Sequence, residues 1–337
     1  MLRDSLAPLI RRLLPAASVL CLSGCYYGHL AAGQLEMNRR REPLEQVLAR
    51  DDIDAALRGQ LEYAVRARDF AMAELSLPDN GSYRSYADLG RRYATWNLFA
   101  APEFSVQPKR WCFPVAGCVS YRGYFDEARA TRAAARHARQ GQDVYVGPSI
   151  AYSTLGHLKD PVLNTMLAYG EVELAAFIFH ELAHQAVYAP SDSDFNEAFA
   201  TVIETEGLRR WLAAADRAPD LDKFLAARQR QQAAAEQMVA SRARLAAIFA
   251  REAPEEQKRA EKAAELARLR ESLAAAGLPL NGELNNARLT AVATYQRCVP
   301  ALAAELTRLG NDLPAFYAAM KVIARDSTAR LKLCPRT

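Results

Sequence analysis

His180-Glu181-Leu182-Ala183-His184 continues an apolar run, Leu174-Ala175-Ala176-Phe177-Ile178-Phe179, whose positions 174, 177 and 178 follow helical rather than alternating spacing. No other segment constrains the chain as tightly. Two histidines at i and i+4 share one helix face, with Cβ atoms about 5–6 Å apart, so both imidazoles can converge on a single point. Glu171 and Glu173 put acidic residues where such a helix should start, and Pro190 with Ser191 should end it soon after Tyr188. A second helix is expected from about Asp194 to Leu212, with Glu197 in its first turn and Glu204 further along on nearly the same face. A short loop between two antiparallel helices would then return Glu197 to the histidines.

Two imidazoles and one carboxylate form the donor set of a catalytic zinc ion, which keeps its fourth position open, whereas structural zinc is closed by four protein ligands. A glutamate beside the first histidine can serve as general base on a zinc-bound water. The expectation is one Zn2+ per chain, held by His180, His184 and Glu197, with Glu181 as the base of a zinc-dependent peptidase. A purely structural zinc in a binding or scaffold protein would have no need of a base at position 181. Two alternatives stay open for the acids. Asp194-x-x-Glu197 also has the form of a capping box, and Glu204 could either be the third ligand or hold a ligand histidine by a hydrogen bond.

Hydrolysis of a peptide at zinc also needs a donor for the developing oxyanion. Tyr152, in the extended stretch Ala151-Tyr-Ser-Thr154 just upstream, is one candidate; Tyr295, Arg288 and Asn285 near the penultimate helix are others. Each residue type has an ordinary structural use: a buried Tyr pairs its hydroxyl, and Asn285 or Asn286 can cap a helix. Removing residues from a peptide's free end would also require an acid for the substrate ammonium. Glu173, Glu204, Asp160 and Asp143 could serve, and spacing singles out none of them. An endopeptidase with an open-ended cleft would use the same metal ligands. No Gly-x-Ser-x-Gly elbow occurs, and Cys112 and Cys118 have no nearby histidine, so a serine or cysteine nucleophile is unsupported.

Residues 1–24 read as a targeting segment. Arg3, Arg11 and Arg12 give a positive start, and the apolar stretch Leu13 to Leu22 is too short to span a bilayer as a helix. It ends in Leu22-Ser23-Gly24-Cys25, which resembles a bacterial lipobox with cleavage before Cys25. Lipid on Cys25 would tether the protein to a membrane face. Tyr26 rather than Asp at the next position points to the outer membrane, facing the periplasm. With Cys21 lost and Cys25 lipidated, Cys112, Cys118, Cys298 and Cys334 remain, and an oxidising compartment permits disulfides. The expected pairs are Cys112–Cys118 around a small loop and Cys298–Cys334 between C-terminal helices. Four such dispersed cysteines do not have zinc-ribbon spacing.

The formal net charge of +4 shrinks further once Arg3, Arg11, Arg12 and Asp4 leave with the leader, which gives no basis for nucleic-acid binding. Residues 26–75 read as two helices, the first beginning at Gln34 and the second over Asp52–Leu75. Asn97–Tyr124 is aromatic, β-rich and broken by Pro102, Pro108 and Pro114; a helix over Asp126–Gln140 and a short strand over Asp143–Val146 follow. Residues 219–277, rich in Ala, Arg, Glu, Gln and Leu, suggest long helices with a break at Pro254, either a hairpin packed on the rest or a projecting arm, with any protein partner unspecified. Helices around 285–309 and 312–331 close the chain. The fold class is α+β, mainly α, with a small β region before the His-Glu-x-x-His helix. The organisation is a leader over 1–24, then residues 25–217 with the β region and metal helices, then a helical part, 218–337, of the same catalytic unit.

His180-Glu-x-x-His184 followed by Asn196-Glu197-Ala198-Phe199-Ala200 resembles the gluzincin metallopeptidases, whose third ligand is the Glu of an Asn-Glu pair on the next helix. Leu77-Pro-Asp-Asn-Gly-Ser-Tyr-Arg-Ser-Tyr-Ala-Asp-Leu-Gly90, Trp111-Cys-Phe-Pro-Val-Ala-Gly-Cys118, Tyr121-Arg-Gly-Tyr-Phe125 and Ala151-Tyr-Ser-Thr-Leu-Gly156 extend the likeness, and the chain resembles the bacterial family of predicted zinc aminopeptidases. His157 departs from it, standing where a Trp is expected. The resemblance implies a gluzincin-like fold, zinc at His180, His184 and Glu197, and aminopeptidase activity on a peptide substrate.

Overall fold

The computed structural model describes residues 26–113, 117–154, 156–292 and 298–334. The first described residues are helical, α1 (residues 26–40), so helix is already present eight residues ahead of Gln34. Its buried face explains this: Tyr26, Leu30, Gly33 and Met37 recur at helical spacing, and Gly33 admits the Phe125 ring where any Cβ would collide. Tyr26 is buried and donates its hydroxyl to the Gly123 carbonyl at 3.0 Å. The lipidation expected at Cys25 and the leader before it lie outside the described residues.

After β1 (Arg41–Pro43) and α2 (Leu44–Leu48), Asp54 accepts from the Ala56 and Leu57 amides and so starts α3 (Ala55–Ala73). The β region that follows is more ordered than its prolines suggest. It comprises β2 (Ser85–Ala87), β3 (Thr95–Pro102), the hairpin β4 (Trp111–Phe113) with β5 (Gly117–Val119), and β6 (Arg122–Tyr124). Then come α4 (Glu127–Ala138), capped by Asp126, and β7 (Gln142–Ser149). β3 lies between β6 and β7 and is antiparallel to both; the pairing Asn97↔Gly147 and Trp96↔Pro148 carries β7 beyond the expected Val146. Pro148 is tolerated because β7 is an edge strand. A second small sheet sets β2 between antiparallel β1 and parallel β8 (Val162–Leu163). The stretch 150–154, expected to be extended, has no regular structure.

The remainder is helical: α5 (Asn164–Leu167), α6 (Glu171–Ala186), α7 (Ser193–Ala214), α8 (Ala218–Ala250), α9 (Glu255–Ala275), α10 (Asn286–Val292), α11 (Val299–Arg308), α12 (Leu313–Arg325) and α13 (Ser327–Leu333). The fold is therefore α+β and mainly α. Its main core lies between α3, α6 and α7, where Leu61 and Ala64 meet Ile178, Phe179, Leu182, Phe199 and Ile203. Gly207 sets the approach of α7: a Cβ there would fall 2.8 Å from both Leu75 and Phe179, the residue preceding His180.

α8 and α9 form a packed hairpin rather than a projecting arm. Met238 and Leu245 of α8 meet Leu269 and Leu273 of α9 in a separate core with Val106, Leu284 and Leu289. Pro254 stands at the N-cap position of α9 without a side-chain cap, at the break expected there. Lys262 fastens the hairpin to the β region, donating to Asp143 at 2.7 Å and to the Glu103 carbonyl at 3.0 Å. Disulfides join Cys112 to Cys118 across β4–β5 and Cys298 to Cys334, linking the start of α11 to the end of α13. Among the described residues no helix is long and apolar enough to cross a membrane.

Candidate metal centre

α6 starts after Gly170, at φ 90°, with Glu171 and Glu173 in its first turn. It ends at Ala186 because Val187 turns extended. The short loop to α7 is pinned from inside. Asn196 accepts the Ala189 N–H at 2.7 Å and returns a hydrogen bond to the Ala189 carbonyl at 2.9 Å, so the residue before Glu197 fixes the path of the chain between the two helices. α7 is capped by Asp192, which accepts from the Phe195 amide, and not by Asp194. Glu197 therefore sits beyond the first turn and takes no part in a capping box, which corrects that alternative.

Facing side chains of α6 and α7 converge. The Nε2 atoms of His180 and His184 lie 3.2 Å apart; Glu197 places Oε2 3.4 Å from His180 Nε2 and Oε1 3.8 Å from His184 Nε2. Ligand atoms of these three residues all lie within 4.8 Å of one another. Glu204 meets the other side of His180, with Oε2 2.8 Å from Nδ1. Its second oxygen accepts from Arg228 Nη2 of α8 at 2.8 Å. His184 Nδ1 is buried without a hydrogen-bond partner among the described residues.

The electrostatics follow the geometry. Burial alone would lower the His180 imidazole, but the carboxylates of Glu197 and Glu204 outweigh it and raise its pKa well above the ordinary value. His184 has burial and the neighbouring His180 charge against it and falls to about 4. Burial pushes up on Glu197 and Glu204, yet hydrogen bonds from His180 hold both below the usual carboxylate range. Glu181 is different: burial, helped by the charges of Glu197 and Asp160, pushes it up to about 6, against the pull of His180 and a hydrogen bond from Ser153. A carboxylate near neutrality can take a proton and give it back.

The other candidates are placed as follows. Tyr152 packs its ring on Phe125 at 5.0 Å, and its hydroxyl is raised by burial and by the charge of Asp160. Asn285 caps α10, accepting the Arg288 amide at 3.0 Å, and donates to the Val144 carbonyl at 2.9 Å. Arg288 donates to the carbonyls of Asn281 and Glu283 and lies over the Tyr145 ring at 5.3 Å. Both dock α10 on β7. Tyr295 lies outside the described residues. The acids considered for an ammonium are each held within the protein. Asp143 binds Lys262 and the Asn286 amide, Asp160 is capped by the Thr154 amide and hydroxyl at 2.9 Å each, Glu173 faces Arg228 at 3.4 Å, and Glu204 joins His180 to Arg228.

Two tyrosines that sequence spacing does not single out stand beside the cluster. Tyr121, just before β6, has its hydroxyl pushed up to about 12 by burial and by the charges of Glu197, Tyr188 and Glu181, although 36% of the residue's surface stays exposed. Tyr188, in the α6–α7 loop, is raised by burial and by Glu197 and is 40% exposed. Gly117 of the disulfide hairpin, at φ 70°, packs where a Cβ would sit 2.9 Å from Ser191 Oγ, so the hairpin abuts the loop that carries Tyr188. Tyr83 is fully buried at φ 60° and feels the charges of Glu181 and Asp160. A left-handed conformation at a bulky residue must be held by its surroundings.

The family described as "Putative aminopeptidase" matches residues 25–333 of the chain. No curated protein and no solved structure matches it significantly.

Proposed function

The chain belongs to that aminopeptidase family, and from this premise we propose that it is a zinc-dependent peptidase with the gluzincin arrangement, acting on the free amino end of peptides. His180, His184 and Glu197 are its metal ligands, and Glu204 orients His180 from behind. One observation carries the reading. Bonds of about 2.0–2.1 Å to a tetrahedral zinc put neighbouring donor atoms roughly 3.3–3.4 Å apart; here the two Nε2 atoms lie 3.2 Å apart, one Glu197 oxygen lies 3.4 Å from His180 and the other 3.8 Å from His184, and with one donor atom per residue the set stays within 4.8 Å. Glu204 lies at Nδ1, the far side of the ring, which favours Glu197 for the third ligand.

A bound zinc ion supplies Lewis-acid charge that polarises a water and the scissile carbonyl. Glu181, with a carboxyl poised at about 6, takes the proton of the attacking water and returns it to the leaving amine. Ser153 holds Glu181 in place by its hydrogen bond. Tyr121 supplies a hydroxyl on the Glu197 side, where a donor to the developing oxyanion is needed. An endopeptidase is the second reading. It is favoured by the engagement of Asp143, Asp160, Glu173 and Glu204 within the protein, which removes each acid considered for the substrate ammonium.

For location, the reading is a lipid on Cys25, an outer-membrane anchor and a catalytic body in the periplasm. Because residue 26 is already helical and Tyr26 is buried, such an anchor would hold the body close to the bilayer. Cys25→Ser should move the protein from the membrane to the soluble fraction; retention at the membrane rejects the anchor.

The test of activity uses the full chain in detergent. Zinc per chain is measured together with cleavage of amino-free and N-blocked peptides, with Glu181→Gln alongside. One zinc per chain and cleavage of free amino ends only, lost in Glu181→Gln with zinc retained, is the expected result. Cutting of blocked peptides moves the reading to an endopeptidase, and absence of zinc rejects the mechanism.

A further inference from the structure

We propose that Arg228, on α8 and outside both metal helices, is a positioning residue that tightens the metal site by locking Glu204 against His180. This rests on the zinc reading above. Two carboxylates, Glu197 and Glu204, face His180, a third, Glu173, lies within charge reach of Glu204, and Glu204 keeps only 8% of its side chain exposed. A carboxylate so enclosed is held in one orientation only when both of its oxygens have partners. Arg228 completes that pair. Its Nη2 donates at 2.8 Å to the Glu204 oxygen that His180 does not use, and it lies 3.4 Å from Glu173.

The guanidinium is itself held. It lies 4.6 Å from the ring centroid of Phe224, a buried residue one turn earlier on α8. The root of α8 is anchored in turn by Arg217, which bonds Asp220 at 2.8 Å and Glu171, the first residue of α6, at 2.7 Å. The order of contact is therefore Phe224, Arg228, Glu204, His180. Without Arg228 the carboxylate of Glu204 loses one of its two fixed bonds and can turn, and His180 loses the constraint on its ring. His184 has no comparable partner at Nδ1 among the described residues, so the orientation of the imidazole pair depends on the His180 side. A guanidinium can direct two N–H groups to two carboxylates at once, which a lysine ammonium does with less geometric control.

The experiment measures zinc affinity of the full chain in detergent, stripped of metal, by competition with a chromophoric chelator. Parent, Arg228→Met, Arg228→Lys and Lys262→Met are compared, with a melting curve for each. Lys262 anchors the far part of the same helical hairpin, so its substitution reports plain loosening of α8 and α9. Arg228→Met should weaken zinc by about tenfold or more, in the range typical of residues that support a metal ligand. Arg228→Lys should recover part of that loss, and Lys262→Met should bind like the parent despite melting earlier. Parent-like affinity in Arg228→Met overturns the inference, as does an equal loss in Lys262→Met. If Arg228→Met does not fold, Arg228→Lys decides: weaker zinc supports the inference and unchanged affinity overturns it. A parent that binds no zinc fails the underlying reading itself, an outcome distinct from these.

Discussion

The Nδ1 atom of His180 lies 2.8 Å from Oε2 of Glu204, two residues on facing helices that the sequence separates by the end of α6, the whole loop and half of α7. The contact divides the two acids of α7 between the two sides of one ring. Glu197 faces Nε2, where both histidines point, and Glu204 faces the opposite nitrogen. Spacing alone could not separate them, because residues seven apart occupy nearly the same helix face.

Their substitutions should differ in kind. Glu204→Gln should still take up one zinc per chain, with affinity lowered about 10–100-fold. Glu197→Gln should lose more than that, because a ligand itself is weakened. Zinc titration against a competing chelator distinguishes the two, and a deeper loss in Glu204→Gln would reverse the assignment.

Tyr121 and Tyr152 give a second contrast. The Tyr121 hydroxyl feels both Glu197 and Glu181, whereas the Tyr152 hydroxyl is influenced by Asp160 and its ring packs on Phe125. Tyr121→Phe should therefore lower kcat by roughly 100-fold, on the scale of one lost oxyanion donor, and shift KM by less than about threefold. Tyr152→Phe should stay near the parent. The opposite order in steady-state kinetics would return the donor role to Tyr152.

How much of this was legible in the sequence depends on the range of the determining interaction. The His180–His184 pair follows from the pitch of one helix, and the fold class from periodicity and composition. Asn196 was visible as half of an Asn-Glu pair, but its work as a clamp on Ala189 is a loop contact. Tyr121 and Tyr188 reach the cluster from a strand edge and a loop, and Arg228 from a later helix; no local spacing encodes those approaches. Residue type alone offers Asn285 and Arg288 to a substrate site, while the contacts they make, one capping α10 and the other holding the preceding turn, depend on chain geometry that spacing does not encode. The helical stretch ahead of Gln34 is hard to read because Gly28 and Gly33 weaken local propensity, while the packing of Gly33 on Phe125 supplies the compensation.

The two disulfides should differ in their effect on stability. Cys298–Cys334 closes a separation of 36 residues and Cys112–Cys118 one of 6. Loop-closure entropy then gives about 4 kcal/mol for the first and about 2 kcal/mol for the second. Denaturant unfolding of the paired Cys→Ser variants should show that order. Equal losses would mean that chain entropy does not dominate.

A pH dependence of stability is expected within the α8–α9 hairpin. Glu265 of α9 accepts from Ser241 at 2.6 Å, from Arg244 at 3.0 Å and from Arg268 at 2.9 and 2.7 Å. Burial alone would raise this carboxyl, but the hydrogen bonds prevail and lower it from 4.5 to about 2. A carboxyl with a lower pKa in the folded than in the unfolded state stabilises the fold above the unfolded value, and that contribution drains away as pH falls through the folded one. Glu265→Gln should thus melt a few degrees below the parent at pH 7. The gap should hold down to about pH 5, shrink between 4.5 and 2, and nearly close at the lower end. Calorimetric melting of both proteins at fixed ionic strength measures it, and a gap that widens on acidification would show that Arg244 and Arg268 do not act by holding Glu265 ionised.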